Sequence, residues 1–265
     1  MAEQNVPGML EKSAPLLDHL EELRTRIIYM LVFLAAGLGI AWNFVPQIIK
    51  LLQEPLTHTN LYKAGKLQLV ATQLPEQLLL SFNIALWAGL ALSLPFILHQ
   101  VWLFIAPGLY ADEKRWAAPF IIGAGFSFLL GVFTAYELIV PPMVKFLADF
   151  LGGTVAGFLS IGTYIGQLTT VMIAFGLFFE MPILAVVLTK IGIVNHVMLG
   201  KVRKFAFILC LVAGAVITPT TDPVNMSLFA GPLYLLYELG VLLSRVFRKR
   251  EVVDELTTGD PFAGA

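Results

Sequence analysis

Apolar residues gather into six runs, at about 27–45, 77–105, 116–140, 163–188, 205–218 and 227–243, and the segments between them carry most of the charge. About 20 apolar residues cross a hydrocarbon core roughly 30 Å thick, so the runs predict six transmembrane helices. Upstream of the first run, Leu20, Leu23 and Ile27 fall at i, i+3 and i+7, which predicts an interfacial helix continuing into span 1. Pro95, Pro182 and Pro232 lie inside spans 2, 4 and 6. Each removes an internal hydrogen bond and kinks its helix, so the bundle is expected to be curved and concave. Spans 5 and 6 are short, with Pro219 and Pro223 closing a tight outer turn between them. Short spans thin the bilayer or recruit neighbours. The segments at 46–76 and 141–162 are long and rich in Pro, Gly and Thr, and they predict an outer-face cap.

Composition turns this pattern into a class. With 58% apolar and 13% charged residues and a mean hydropathy of +0.82, a soluble domain is excluded and an all-α polytopic membrane protein is expected. Six spans put both termini on one side. Thirteen of the seventeen Lys and Arg residues flank that side, and Lys50, Lys63, Lys66 and Lys145 flank the other. The positive-inside rule therefore predicts cytosolic termini. With no internal repeat, low-complexity tract or linker, residues 1–250 read as one membrane domain and 251–265 as a disordered tail. The residues before Ser13 form no cleavable signal peptide, so span 1 is expected to be retained. A net charge of −1 gives no reason for nucleic-acid binding, and the lone Cys210 has no disulfide partner. No set of nucleophile and base, metal ligands or phosphate loop supports an enzyme, a metal or a cofactor. His99, with no second His or Cys beside it, reads as a polar anchor.

A few ionisable residues stand out against this background. His19-Leu20-Glu21-Glu22-Leu23-Arg24-Thr25-Arg26 sets acids as well as bases just before span 1. Glu22 and Arg26 are i,i+4 neighbours in the favourable order. Two readings stay open: an exposed salt-bridged helix, or a carboxylate site in which Arg24 or Arg26 holds the acids in place. On the same side Asp112 and Glu113 follow the Pro107-Gly108 turn. Asp112 suits a helix cap, and Glu113 with Glu22 offers two carboxylates to a ligand. Arginine would be the natural one, because its planar fork meets a carboxylate through two parallel hydrogen bonds. Glu180 lies at membrane depth, on a stripe with Gly166, Thr169, Ile173 and Gly176 that reads either as a packing seam or as the wall of a polar groove. Asp222 before Pro223 suits a cap for span 6 or a partner contact. Glu238 is expected near the headgroups or paired with Arg245, and Tyr234 and Tyr237 in an interfacial aromatic belt.

Four motifs in order, His19-Leu20-x-x-Leu23-Arg24, Pro95-x-x-x-Gln100-x-Trp102-x-Phe104-x-x-Pro107-Gly108-Leu109, Phe175-Gly176-x-x-Phe179-Glu180-x-Pro182, and Thr218-Pro219-x-x-Asp222 with Pro232-x-x-x-x-Tyr237-Glu238, resemble TatC, the core subunit of the twin-arginine protein translocase. The resemblance runs from about residue 16 to 247. It implies a receptor in the cytoplasmic membrane for folded proteins whose signal peptides carry paired arginines. Export would use the proton motive force, in a larger self-associating complex with the single-span subunits TatA and TatB. By motif, Glu22 and Glu113 would contact the twin arginines, with Phe104 on the same cytosolic surface. His19, Leu20, Leu23, Arg24, Gln100, Pro107 and Leu109 would complete that surface. Glu180 would be the buried polar group of span 4, and Pro55 and Asp222 would serve in the outer cap and in partner contact. Two positions depart from the family: His99 stands where Tyr usually precedes the Gln, and Met226 where a Gln commonly follows the loop Asp by four. The rival reading is a proton-coupled small-molecule transporter with Glu180 as carrier. The lack of a repeat and of partner charges at midplane stands against it.

Overall fold

The computed structural model describes residues 10–106, 117–150, 157–218 and 222–247, with side chains undescribed at 10–18, 117, 150 and 157. Within these the chain is helical almost throughout. The long helices are α1 (Leu10–Trp42), α4 (Glu76–Ile105), α5 (Ala117–Thr134), α7 (Ile161–Lys190), α9 (Arg203–Ile217) and α10 (Pro223–Val246). Between them lie α2 (Val45–Thr57), α3 (Asn60–Lys63), β1 (Leu67–Val70), α6 (Val140–Phe150), β2 (Gly157–Ser160) and α8 (His196–Lys201). Five of the described helical stretches are long and apolar enough to cross a membrane, and α9 is the shorter sixth, at 15 residues. At 1.5 Å per residue α9 spans about 22 Å, less than a hydrocarbon core of about 30 Å.

The interfacial segment continues into span 1 as expected: α1 is one helix over Leu10–Trp42, and neither glycine nor proline interrupts residues 16–36. Several boundaries differ from the sequence pattern, each for a physical reason. Span 3 does not stop at 140. A π-helical turn at Ala135–Ile139 leads straight into α6, whose first turn holds Pro141 and Pro142. The wider i→i+5 turn relieves the clash that a proline ring makes with the carbonyl four residues back, so the helix runs on. Span 6 is not short: α10 starts at Pro223, capped by Asp222, and has 24 residues. Of the two outer segments, the first contains the amphipathic α2 and the second contains α6.

The helices form a row rather than a ring. α1 packs chiefly on α4, α4 on α5 and α7, α5 on α7, α7 on α10, and α10 on α9. Glycines set the closest crossings. A Cβ on Gly37 of α1 would stand 2.5 Å from the Gly89 carbonyl oxygen of α4, and one on Gly131 of α5 would stand 2.8 Å from the Phe175 carbonyl oxygen of α7. Such contacts let backbones approach where lipid supplies no hydrophobic drive between helices. Gly125 likewise makes room for the Pro95 ring, which a Cβ would meet at 3.0 Å. Phe128, Phe175 and Phe229 are fully buried along the middle of the row.

At one end of the row the two outer segments join. β1 pairs in parallel with β2, Leu67 opposite Gly157 and Val70 opposite Ser160, and α2 packs on α6. This is the cap. The opposite end, where α1 begins and α10 finishes, is the termini end.

Candidate functional site

The termini end brings together two segments that are far apart in sequence. Near the start of α1, Arg26 donates through Nη2 to Glu22 Oε1 at 3.2 Å and through Nη1 to Gln100 Oε1 of α4 at 3.4 Å. Gln100 is buried, so α4 fixes Arg26 and Arg26 in turn fixes the carboxylate. Glu22 and Arg26 remain partly open, with side chains 31% and 25% exposed. Among the described residues the other Glu22 oxygen, Oε2, has His19 Nδ1 as its ionisable neighbour, at 4.0 Å. The His19 ring stacks on Phe104 at 4.4 Å with an interplanar angle of 13°, a second link between α1 and the end of α4. Arg26, not Arg24, therefore holds the acid; Arg24 is exposed. Leu20 is exposed and Leu23 half-buried on the same helix, and His99 is exposed. Glu113, Pro107 and Leu109 lie outside the described residues.

Glu180 is 7% exposed, and its Oε1 has no hydrogen-bond partner. It sits ten residues from the end of α7, about 15 Å into the membrane from the termini end. The four described ion pairs are His19–Glu22, Arg26–Glu22, His58–Glu54 and Arg203–Glu238, so none involves Glu180. Its stripe divides between the two sequence readings. Gly176 is a packing seam, where a Cβ would meet the Phe128 ring at 2.7 Å, whereas Gly166 has open space above it. Thr169 and Ile173 line a cleft of about 420 Å³ with α2 and α4 residues such as Leu52, Ile84 and Trp87. That cleft is apolar, because the Thr169 hydroxyl is turned to the Ile165 carbonyl at 2.8 Å.

On the cap, Pro55 is half-buried inside α2. Asp222 caps α10: Oδ1 accepts from the Asn225 backbone N–H at 2.8 Å and Oδ2 from Asn225 Nδ2 at 3.0 Å. Glu76 does more than its place at a span start suggests. It accepts from the backbone N–H groups of Thr72 (2.5 Å), Gln73 (3.1 Å) and Gly162 (2.7 Å), and from the hydroxyls of Thr72 and Ser160. One carboxylate thus ties the first outer segment to the second. The spacing of Thr72 and Glu76 around Pro75 hints at the local half of this arrangement, and nothing local points to Ser160.

The family model described as "Sec-independent protein translocase protein (TatC)" matches residues 18–232. The chain belongs to the TatC family. It is 59% identical over 236 residues to the TatC protein of Deinococcus radiodurans, which covers 89% of this chain and 87% of that one. The Aquifex aeolicus TatC protein is 35% identical over 240 residues, covering 89% and 97%. A crystal structure described as the twin-arginine translocase receptor TatC superposes with a TM-score of 0.77 at 35% identity, covering 86% of this chain and 99% of that one. As a TatC-family member the chain is a multi-pass membrane protein and a core subunit of the twin-arginine translocase, a transport protein. The rim of α1 and α4 carries two of the four TatC motifs, and Gln100 gains a defined task there as the anchor of Arg26. Glu238, at the end of the last motif, pairs with Arg203 at 2.8 Å and with the Tyr234 hydroxyl at 2.9 Å, not with Arg245 as its spacing suggested.

Proposed function

We propose that the α1–α4 rim is an arginine-reading site for signal peptides of folded cargo. Glu22 supplies one carboxylate, Glu113 the second, and the Phe104–His19 stack supports the peptide backbone beside them. The observation that carries this reading is that Arg26 orients Glu22 while one carboxylate oxygen accepts no hydrogen bond among the described residues. Arg26 occupies one of its oxygens at 3.2 Å and is itself anchored to buried Gln100, while Oε2 keeps lone pairs for an incoming guanidinium. Two forks meeting two carboxylates would discriminate against lysine, which offers a point charge. Leu20, Leu23 and Arg24, with Pro107 and Leu109, flank the site, and the apolar stretch of the peptide follows the kinked row of spans.

Around this site the protein works in the cytoplasmic membrane with six spans and both termini cytosolic, the orientation supported by thirteen of seventeen cations on that side. It acts as a translocase subunit and not as an enzyme, self-associates, and uses TatA and TatB with the proton motive force. Pro55 and Asp222 serve the outer cap and its partner contacts. The small-molecule transporter reading gains no support, since the cleft on α7 is apolar and Glu180 does not line it. The test is site-specific crosslinking of a twin-arginine peptide to the wild-type, Glu22→Ala and Glu113→Ala proteins. Each substitution is expected to reduce crosslinking at the rim, and undiminished crosslinking in both sinks the assignment.

A further inference from the structure

At the termini end, away from the Glu22 rim, α8, α9 and α10 enclose a cleft of about 500 Å³. Its polar lining is His196, Arg203, Glu238 and Arg245. Glu238 takes Arg203 on one oxygen at 2.8 Å and the Tyr234 hydroxyl on the other at 2.9 Å. The cleft thus holds two guanidinium groups and one carboxylate, which Arg203 occupies, and no ion pair joins Arg245 to an acid among the described residues. His196 Nδ1 is buried without a partner. The cleft walls are fixed: the Tyr237 hydroxyl donates to the Leu199 carbonyl at 2.5 Å, pinning α8 to α10. A net positive, pre-set cleft of this kind suits a phosphate, which arginine holds bidentately.

The source of that phosphate follows from what leads into the cleft. Leu235, Leu239 and Leu242 stand at i, i+4 and i+7 on α10, also line it, and are 69%, 45% and 59% exposed. From Leu235 to Arg245 the helix rises about 15 Å, half of a hydrocarbon core about 30 Å thick. Glu238, with the Arg203 it holds, stands between Leu235 and Leu239, and Arg245 closes the end of the strip. An exposed leucine face beside a net positive cleft suits a single anionic phospholipid. We propose that this cleft is a binding site for one anionic phospholipid of the leaflet bordering the termini end, its phosphate between Arg203 and Arg245 and an acyl chain along the leucine strip. The bound lipid would neutralise the surplus charge and cover the outer face of α10 beside the short α9.

The test is native mass spectrometry of the full chain in detergent, titrated with phosphatidylglycerol or phosphatidylcholine. The wild type is expected to prefer phosphatidylglycerol. Arg245→Gln and Arg203→Gln should each weaken that lipid by about fivefold, and the double variant by about thirtyfold, with phosphatidylcholine binding unchanged. Arg245→Lys, which keeps the charge and loses the fork, should fall between. Because Arg203→Gln also removes the partner of Glu238, Arg245→Gln and Arg245→Lys carry the test if that variant fails to fold. Equal binding of the two lipids by the wild type, or an undiminished preference in Arg245→Gln, overturns the proposal. Displacement of phosphatidylglycerol by equimolar inorganic phosphate overturns it in favour of a free anion.

Discussion

Substituting Ala for Gly37 and, separately, for Gly39 tests whether the α1–α4 crossing is a backbone contact that tolerates no side chain. A Cβ at Gly37 would lie 2.5 Å from the Gly89 carbonyl oxygen and 3.2 Å from its carbon, whereas one at Gly39 meets nothing within 4 Å. Ordinary contact begins near 3.4 Å, so α1 and α4 must part by about 0.9 Å at Gly37, and the obstacle is backbone that cannot rotate away. Overpacking of this kind costs about 1–3 kcal/mol. The helix-propensity gain of Ala over Gly, about 1 kcal/mol, applies at both positions and cancels in the comparison. Gly37→Ala should therefore melt roughly 2–12 °C below Gly39→Ala, read by thermal unfolding of the purified proteins in one detergent. Since α1 has α4 as its main neighbour, the same parting should also stretch the Arg26–Gln100 bond, already 3.4 Å long. Gly37→Ala should then bind a twin-arginine peptide more weakly, and Gly39→Ala as the wild type does. If the two variants melt together, the close-crossing argument is wrong.

Glu76→Ala removes the carboxylate that joins the outer segments, so hydrogen exchange at residues 67–70 and 157–160 should accelerate while the rim is unaffected; unchanged exchange in both strands would count against the staple. For Glu180→Ala, transport or partner assembly should suffer more than peptide binding, measured side by side in membranes, and a loss of peptide binding alone would contradict the separation of the two sites. Because α9 covers only about 22 Å, thermal stability in phosphatidylcholine bilayers should be highest with short acyl chains. A steady rise with increasing chain length would refute local thinning.

The spans were legible because a membrane forces long apolar runs, and the rod from Leu10 to Trp42 is a case where periodicity and hydropathy agree. What stayed hidden depended on neighbours distant in sequence. The i,i+4 spacing offered Arg26 as a partner for Glu22 but left Arg24 open, and Gln100, 74 residues away, is what holds the Arg26 guanidinium. Spacing along α10 suggested Arg245 for Glu238, and a residue 35 positions earlier on α9 takes that place. Richness in Pro, Gly and Thr read 141–162 as loop. A single π turn carries the helix on through Phe150, and nothing in the residue types announces it. Acids are favoured at helix starts in any case, so the residue type of Glu76 carries no separate signal of its role as the tie of the cap.

An acid already paired with Arg26 could seem a poor receptor for a second arginine, and the geometry answers the objection. The Glu22–Arg26 pair is partly exposed, and such pairs contribute at most about 1 kcal/mol, so it does not lock the carboxylate. Arg26 is held elsewhere as well, by buried Gln100, so the proposed site would keep it in place when Glu22 takes a new ligand. An ionised carboxylate has about four acceptor sites, and the bond from Arg26 Nη2 uses one of them. Pairing thus orients Glu22 without exhausting it. The Phe104–His19 stack brings the last turn of α4 to the same spot. If Glu113 is the second acid, as the motif resemblance implies, a ligand with guanidinium groups on adjacent residues would match both carboxylates, and a lone arginine would leave one unmatched.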